Sequence, residues 1–585
     1  MPQVSRRSFL GLSFAAAATW SVGEAVPASA GAPREVARLF ELRGARRAAE
    51  VFPQSVASGD PSPDGAVLWT RVAPDAAGAA GGRVAYEIAA DGSFGTPLVR
   101  GVTTAAAGRD HTVKVRIAAR ALKPWTMYHY RFIVGGTASR TGRFRTLPAP
   151  GTALPGLRFA YISCQDYTNG HYTALRHLAE EDLDFVVHLG DYIYETTHDS
   201  SFQGAQVREI ALPGGATRAE TLEQYRALYK TYRTDPDLQR LHERFAMIQI
   251  WDDHEFANDS YGAYDTDSED EAANHAPDRK LASVRAWSEY STAGARFDPS
   301  GGPTGALTIY RTLNFGGLMD LVLTDERTYR SRPPCGLGLL DKYATGGCPE
   351  RLSPARTMLG ARQRDWFTDQ ITSSTATWKV WGNEVMLMQF KLLDIYLGSL
   401  FPQMDAARKR AASDGRLSVF MNLDQWDGFP AERTRLLTAF RDVANLVTIT
   451  GDLHSFGAGY LRPDFDDPSQ DPVGVALLGG SVTSSNFVEM ATLGQGGLIV
   501  PPETELTWAL RGSNPHLAYF NSAAHGYVVM DVAPAGITAT MKAVRSIRTP
   551  ETPELLTLRT FRLGEGRPSL STVDRGTRRL HNAGR

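Results

Sequence analysis

Three short runs carry residue types suited to metal chemistry: Gly190-Asp191-Tyr192-Ile193-Tyr194-Glu195, Trp251-Asp252-Asp253-His254-Glu255 and Thr450-Gly451-Asp452-Leu453-His454-Ser455. Each follows an apolar, strand-like stretch and puts Asp, His or Tyr where that strand would end. Two more strand ends join them, Ser163-Cys164-Gln165 and Val380-Trp381-Gly382-Asn383. Open α/β sheets build their ligand crevice outside the carboxyl ends of the strands. Asp191, Asp253, Asp452 and His454 converging there would be costly to desolvate without a partner ion. A metal site drawn from several strand ends is the simplest expectation.

The elements that must position these groups alternate between strand and helix from about residue 157. Strands are expected at 159–163, 185–189, 245–251, 318–324, 378–381, 446–450 and 475–478, with helices at 172–181, 281–293, 361–371 and 430–444. The last helix opens on Pro430, a favoured first helical residue, with Asp427 nearby as a cap. A helix-rich insertion covers 221–241, the acidic loop 265–278 reads as solvated surface, and strands return over 525–563. Ahead of this, residues 51–148 show short alternating stretches such as Val84-Ala85-Tyr86-Glu87-Ile88 separated by Gly, Pro and Asp, the pattern of a small all-β sandwich. The architecture expected is α/β: a β-sheet sandwich flanked by helices over 157–563, preceded by that sandwich and followed by a disordered tail over 567–585.

The 585 residues are 42% hydrophobic and 22% charged, ordinary for a folded protein with ample core. A net charge of −2 gives no global field that would favour nucleic acid or an anionic membrane. Residues 1–30 read as a twin-arginine signal peptide: Arg6-Arg7, a small-residue apolar run from Gly11 to Val22, then Ala28-Ser29-Ala30 as cleavage site. Export through the Tat machinery to the bacterial exterior or periplasm follows, with no transmembrane segment and a monomeric mature protein. Of the three cysteines, Cys335 and Cys348 lie in one Gly- and Pro-containing loop and are expected to pair in an oxidising compartment. Cys164 is either an inert buried thiol or a metal ligand.

The order of the strand-end motifs resembles the calcineurin-like metallophosphoesterases. Cys164 stands at the first motif and Asp191 with Tyr194 forms the GDxxY motif. Asp253-His254-Glu255 replaces GNHE, Asn383 replaces a histidine, and Asp452 replaces the first His of GHxH. With the segments Arg332-Pro333-Pro334-Cys335, Pro349-Glu350-Arg351-Leu352 and Trp426-Asp427-Gly428-Phe429-Pro430, the chain resembles the PhoD alkaline phosphatase/phosphodiesterase family over nearly its whole mature length. That resemblance implies iron with one or two calcium ions. It also implies that Asp191 bridges two ions and that His254 protonates the leaving oxygen or binds a phosphoryl oxygen.

Sorted by hardness under that bridge, one ion would see Cys164 thiolate, Tyr194 phenolate, Asp191 and His454. Such a set favours Fe³⁺ and leaves Zn²⁺ open. The other would see only oxygen, from Asp191, Asp253, Asn383 and Asp452, which suits Ca²⁺ and leaves Mg²⁺ and Mn²⁺ open. Asn383 reads equally as a backbone-capping residue, and Asp252 and Glu255 read as supporting carboxylates. His171, His188 and His198 read as surface or core histidines, and no single arginine stands out as the anion holder. The function expected is a secreted metal-dependent phosphoesterase. The alternatives are a phospholipase D-like or teichoic-acid phosphodiesterase and, from another class, a non-catalytic cell-surface glycan-binding protein.

Overall fold

The computed structural model describes residues 25–26 and 34–574, except 45, 200–202, 204–205, 347, 397–415, 493–503, 552 and 567. The signal-peptide reading therefore lies outside the described residues but for 25–26, as does the expected tail from 575 onward.

The strands that end in the chemical motifs are fully buried, mostly apolar runs, such as Phe185–Leu189, Ala246–Ile250 and Leu446–Thr450. Continuous burial with no polar alternation is the mark of parallel strands covered on both faces. They occupy the centres of two sheets. In the ten-stranded sheet, Leu157–Ile162, Phe185–Leu189 and Ala246–Ile250 run parallel side by side. In the seven-stranded sheet, Met319–Leu323, Trp378–Asn383, Leu446–Thr450 and Gly474–Leu478 do the same. One hydrophobic core joins side chains of both sheets, among them Phe159, Val187 and Ile248 with Leu321, Val380 and Ile449.

Two glycines permit the close approach at the strand ends. A Cβ on Gly451 would stand 2.5 Å from Ser163 Oγ on the facing sheet. At Gly190, whose φ is 106°, it would stand 2.4 Å from the Asp252 Cβ. Any side chain at either position would push two motif-bearing turns apart.

The N-terminal sandwich is present, with Arg83–Ala89, Val99–Thr104, Met127–Val134 and Gly142–Arg145 in one sheet. Its other face, Val56–Ser62, Gly65–Arg71 and Thr112–Arg116, is not a separate sheet. It continues the ten-stranded sheet through a parallel pairing of Ser58 with Ala246. The sequence shows no sign of this, because strand-to-strand adjacency over so long a separation leaves no local pattern.

Helices occupy Thr173–Ala179, Pro277–Tyr290, Gly360–Ser373 and Pro430–Ala439. The 221–241 insertion resolves into Leu222–Tyr232 and Pro236–Arg244. Thr221 and Gln224 form a reciprocal capping box at the first, and Asp235 caps the second ahead of Pro236. Three expectations need correction. Asp427 does not cap the helix at Pro430. Its carboxylate accepts from the Phe390 N–H at 2.8 Å and from Arg433 Nη1 at 2.8 Å, a stronger charge-assisted partner. The acidic loop is only partly solvated, since Asp265 is buried and pairs with Arg279 at 2.8 Å. Within the supposed tail, Leu570–Asp574 is a strand paired antiparallel with Leu555–Gly564.

Cys335 and Cys348 form a disulfide with Cα atoms 5.9 Å apart. Cys348 packs on Phe420 and Leu423, and Cys335 N–H donates to Glu350 at 2.9 Å. Replacing both with serine is expected to cost about 3 kcal/mol through the loop entropy restored to the unfolded chain. Urea unfolding would read this as a lower midpoint, and an unchanged midpoint would show that the crosslink constrains nothing.

Candidate metal centre

Four of the strand-end residues share one backbone conformation. Cys164, Asp191, Asp452 and His454 have φ of 57°, 57°, 58° and 51°. The left-handed region costs a non-glycine residue about 1 kcal/mol or more and is concentrated at functional sites. Hydrogen bonds over-determine the turns. Cys164 N–H donates to Gly190 O at 3.2 Å and Gln165 N–H to Asp191 O at 3.1 Å. The buried Glu255 carboxylate accepts three backbone N–H groups, from Asp191 at 3.0 Å, Tyr192 at 2.8 Å and Asp252 at 2.9 Å. It thereby ties two strand ends together, in the supporting place expected of it.

Cys164, Asp191 and His454 bring their ligand atoms within 4.8 Å of one another, all buried. Tyr194 Oη stands among them, 3.1 Å from Asp191 Oδ2 and 3.2 Å from His454 Nε2. His454 Nδ1 lies 2.6 Å from the Ser485 carbonyl, which can only accept. Burial holds the imidazole pKa down at about 4, so the neutral ring carries its proton on Nδ1 and turns the Nε2 lone pair inward. That is the tautomer a metal requires, oriented by a carbonyl. Burial, and then the neighbouring Asp191, raise the Cys164 thiol well above its usual range. Burial likewise raises Asp191 and the Tyr194 phenol. Three acidic groups whose ionisation is disfavoured by burial fit a multivalent cation, which would reverse each shift.

Asp191, Asp253 and His254 form a second close group, and Asp252, Asp253 and Asp452 a third. Asp253 Oδ1 and Asp252 Oδ2 are buried atoms with no hydrogen-bond partner among the described residues. A fourth group adds Asp259 and Asp424 to Asp253. Asp191 thus belongs to the sulfur-containing cluster and to the one with Asp253 and His254, and Asp253 in turn belongs to both all-carboxylate clusters. His254 Nδ1 sits 2.7 Å from Glu195 Oε2, and its ring lies 4.0 Å from that of Tyr194. Burial opposes charge on His254, but Glu195, Asp253 and Asp191 outweigh it and raise its pKa well above the ordinary value.

Asn383 ends its strand as expected, yet its amide is engaged locally. Its oxygen accepts from Thr450 Oγ1 at 2.5 Å and its NH₂ donates to Val385 O at 2.8 Å. These contacts orient the amide and leave its oxygen one further lone pair. His188 is a fully buried core histidine.

Sequence reasoning missed the arginine at the heart of the acidic cluster. Arg327 is fully buried, with Nη2 at 2.8 Å from Asp452 and 3.4 Å from Asp253, and Nη1 at 2.5 Å from Asp424. Its Nε donates to Asp252, and Arg330 pairs with the other oxygen of Asp424. Burial disfavours the Asp424 carboxylate, but the two guanidinium groups outweigh this and hold it well below the usual range. Burial pushes Asp452 up to about 7 against Arg327. The signal available was position: Thr324-Asp325-Glu326-Arg327 leaves the strand Met319–Leu323 at the same end as every other motif.

A buried, carboxylate-rich centre with cysteine and tyrosine, set where two mixed sheets end, defines a metallophosphoesterase-type α/β protein. Residues 159–541 match the PhoD-like phosphatase family, and residues 37–148 match the N-terminal domain of PhoD-like phosphatases. Alkaline phosphatase D of Bacillus subtilis (strain 168) is 30% identical over 514 residues, spanning 85% of this chain and 78% of that protein. A solved structure of PhoD superposes with a TM-score of 0.76 at 30% identity, covering 91% of this chain and 94% of that one. The chain belongs to the PhoD-like phosphatase family and is a phosphoric ester hydrolase.

Proposed function

We propose that this protein is an exported, metal-dependent phosphoesterase that hydrolyses phosphate esters by in-line attack of water. The observation that carries this reading is the sharing of Asp191 between two unlike donor sets. Cys164, Tyr194, Asp191 and His454 would hold Fe³⁺, because thiolate and phenolate together suit a trivalent ion. Asp191, Asp253 and Asp452 would hold Ca²⁺, joined by Asn383 through its carbonyl oxygen, which has a second lone pair beyond the bond from Thr450. Asp253, Asp259 and Asp424 are the group that would take a second Ca²⁺. Cations bound there supply charge neutralisation for the phosphoryl oxygens and acidify the attacking water.

The chain's own groups supply the rest. His254, charged through Glu195, would protonate the leaving oxygen or bind a phosphoryl oxygen. Glu195 also accepts the Asn258 N–H at 2.8 Å through its other oxygen, which fixes the carboxylate and hence the ring. Arg327 would balance the surrounding carboxylates and hold the substrate anion beside them. Glu255 keeps the Asp191 and Asp252 turns in register. The twin-arginine start and the Cys335–Cys348 disulfide both support export to an oxidising compartment.

Elemental analysis of the purified mature protein tests the metals, and assays on p-nitrophenyl phosphate beside its bis ester test the reaction. Iron and calcium are expected, with a visible tyrosinate-to-iron charge-transfer band that Tyr194→Phe removes. A chelator should abolish turnover. Absence of metal together with no turnover on either ester would sink the reading. A colourless, iron-free but active enzyme would keep the reaction and overturn the iron. Faster hydrolysis of the bis ester would move the assignment to a diesterase of the phospholipase D or teichoic-acid type.

A further inference from the structure

Arg233 presents a charge that the proposed chemistry does not use. It caps the C-terminal end of the helix Leu222–Tyr232 and is 1% exposed. Its guanidinium carbon lies 3.9 Å from the centroid of the Trp69 ring and 5.6 Å from that of Tyr192. Trp69 belongs to the strand Gly65–Arg71 of the N-terminal sandwich, and Tyr192 directly follows Asp191. The side chain therefore sits in an aromatic seam between the sandwich and the metal centre.

Stacking on Trp69 satisfies the face of the guanidinium, but its N–H groups point out of the edge. Nε, Nη1 and Nη2 are all buried and none has a hydrogen-bond partner among the described residues. The hydroxyl of Tyr229, one helical turn earlier, is buried without a partner as well. No described carboxylate pairs with Arg233, because the neighbouring ones are committed elsewhere. Asp235 holds Arg208 at 2.6 Å, Glu243 holds Arg140 at 3.1 Å, and Asp110 holds Arg71 at 3.1 Å. A buried, unpaired guanidinium with five donors is among the costliest groups a protein can carry. Arginine does not escape this by deprotonating, since its pKa lies too high.

We propose that Arg233 binds a small monovalent anion of the halide class, chloride in ordinary media, at the edge of its guanidinium within this seam. A halide supplies charge and accepts several hydrogen bonds while bringing no donor of its own. Water would meet the donors but leave the charge uncompensated and add two further N–H-like demands in the form of its own protons. An oxyanion would carry three or four oxygens to a place that offers one guanidinium edge and the hydroxyls of Tyr229 and Tyr130. The anion would tie the sandwich to the turn that bears Asp191, so it stabilises the fold without touching the reacting atoms.

The test uses the mature, metal-loaded protein. Crystals soaked in sodium bromide should show an anomalous peak in the plane of the Arg233 guanidinium. In solution, replacing sodium gluconate by sodium chloride at constant ionic strength should raise the melting temperature by about 2 °C, as a ligand specific to the folded state does. Arg233→Met keeps the stem over Trp69 and should lose that increment. Water density with no anomalous signal would overturn the proposal, as would an equal rise in gluconate or an undiminished rise in Arg233→Met. If that variant does not fold, the bromide peak on the unmodified protein decides alone. Neither readout depends on turnover, so the result is separable from the phosphoesterase reading.

Discussion

Asp191→Asn is expected to reduce hydrolysis of p-nitrophenyl phosphate by at least about 10³-fold, the loss of several kcal/mol of transition-state charge stabilisation. The protein should lose iron and calcium together. Asp191 is the one carboxylate that stands in both the cysteine-containing group and the group with Asp253 and His254. It also accepts the Tyr194 hydroxyl at 3.1 Å and the His254 N–H at 3.4 Å. The substitution keeps size and shape but removes the negative charge, and an amide bridges two cations poorly. Folding should survive, because the Asp191 backbone N–H still donates to Glu255 at 3.0 Å. Metal content and activity measured on the same preparation check this. Retention of iron with loss of calcium alone would dissolve the bridge and make Asp191 a ligand to one site only.

Removing the arginine from the acidic cluster is the second large effect. In Arg327→Met the carboxylates of Asp252, Asp253, Asp424 and Asp452 lose the cation that now pairs with all four. Stripping one partner from a buried ion pair costs about 3–5 kcal/mol, because the remaining charge is left without compensation. The loss should therefore appear in the metal-free protein as a sharply lower urea midpoint. Bound cations would restore part of it, so the metal-loaded variant should be destabilised less than the metal-free one. Arg327→Lys should recover stability only in part, since an ammonium cannot bridge three directions in one plane. Equal midpoints for variant and parent without metal would show that Arg327 is not what holds the cluster together.

Much of the centre was readable along the chain because its parts are local. A run such as Phe185–Leu189 is apolar but for His188, ends at Gly190-Asp191, and needs no distant information to be seen as a buried strand with a functional end. The same holds for Ala246–Ile250 before Asp252 and Leu446–Thr450 before Asp452. The Cys335–Cys348 pairing was legible for a similar reason, since only two cysteines share a loop. The placement of Cys164 beside Asp191 follows from parallel neighbours ending at one level, and His454 joins them from the other sheet.

What was misread or missed depends on partners far away in sequence. Asp427 looks like a cap until Arg433 and the Phe390 N–H claim its carboxylate. Arg327 is one arginine among many until three other segments converge on it with acid groups. Leu570–Asp574 looks like tail because its polar, exposed edge strand is specified by Leu555–Gly564 and not by its own pattern.

The sequence by itself determined the family, the strand ends and the candidate ligand types, since these rest on local runs and on residue chemistry. Only the tertiary structure decided that the sandwich is an extension of the catalytic sheet and that Gly190 and Gly451 let the turns close to within contact. It alone showed, too, that four strand-end residues of the centre share left-handed backbone. The reason is physical. Side-chain type is written at each position, whereas sheet adjacency, close approach and the neutralisation of buried charge are settled by which distant segments pack together.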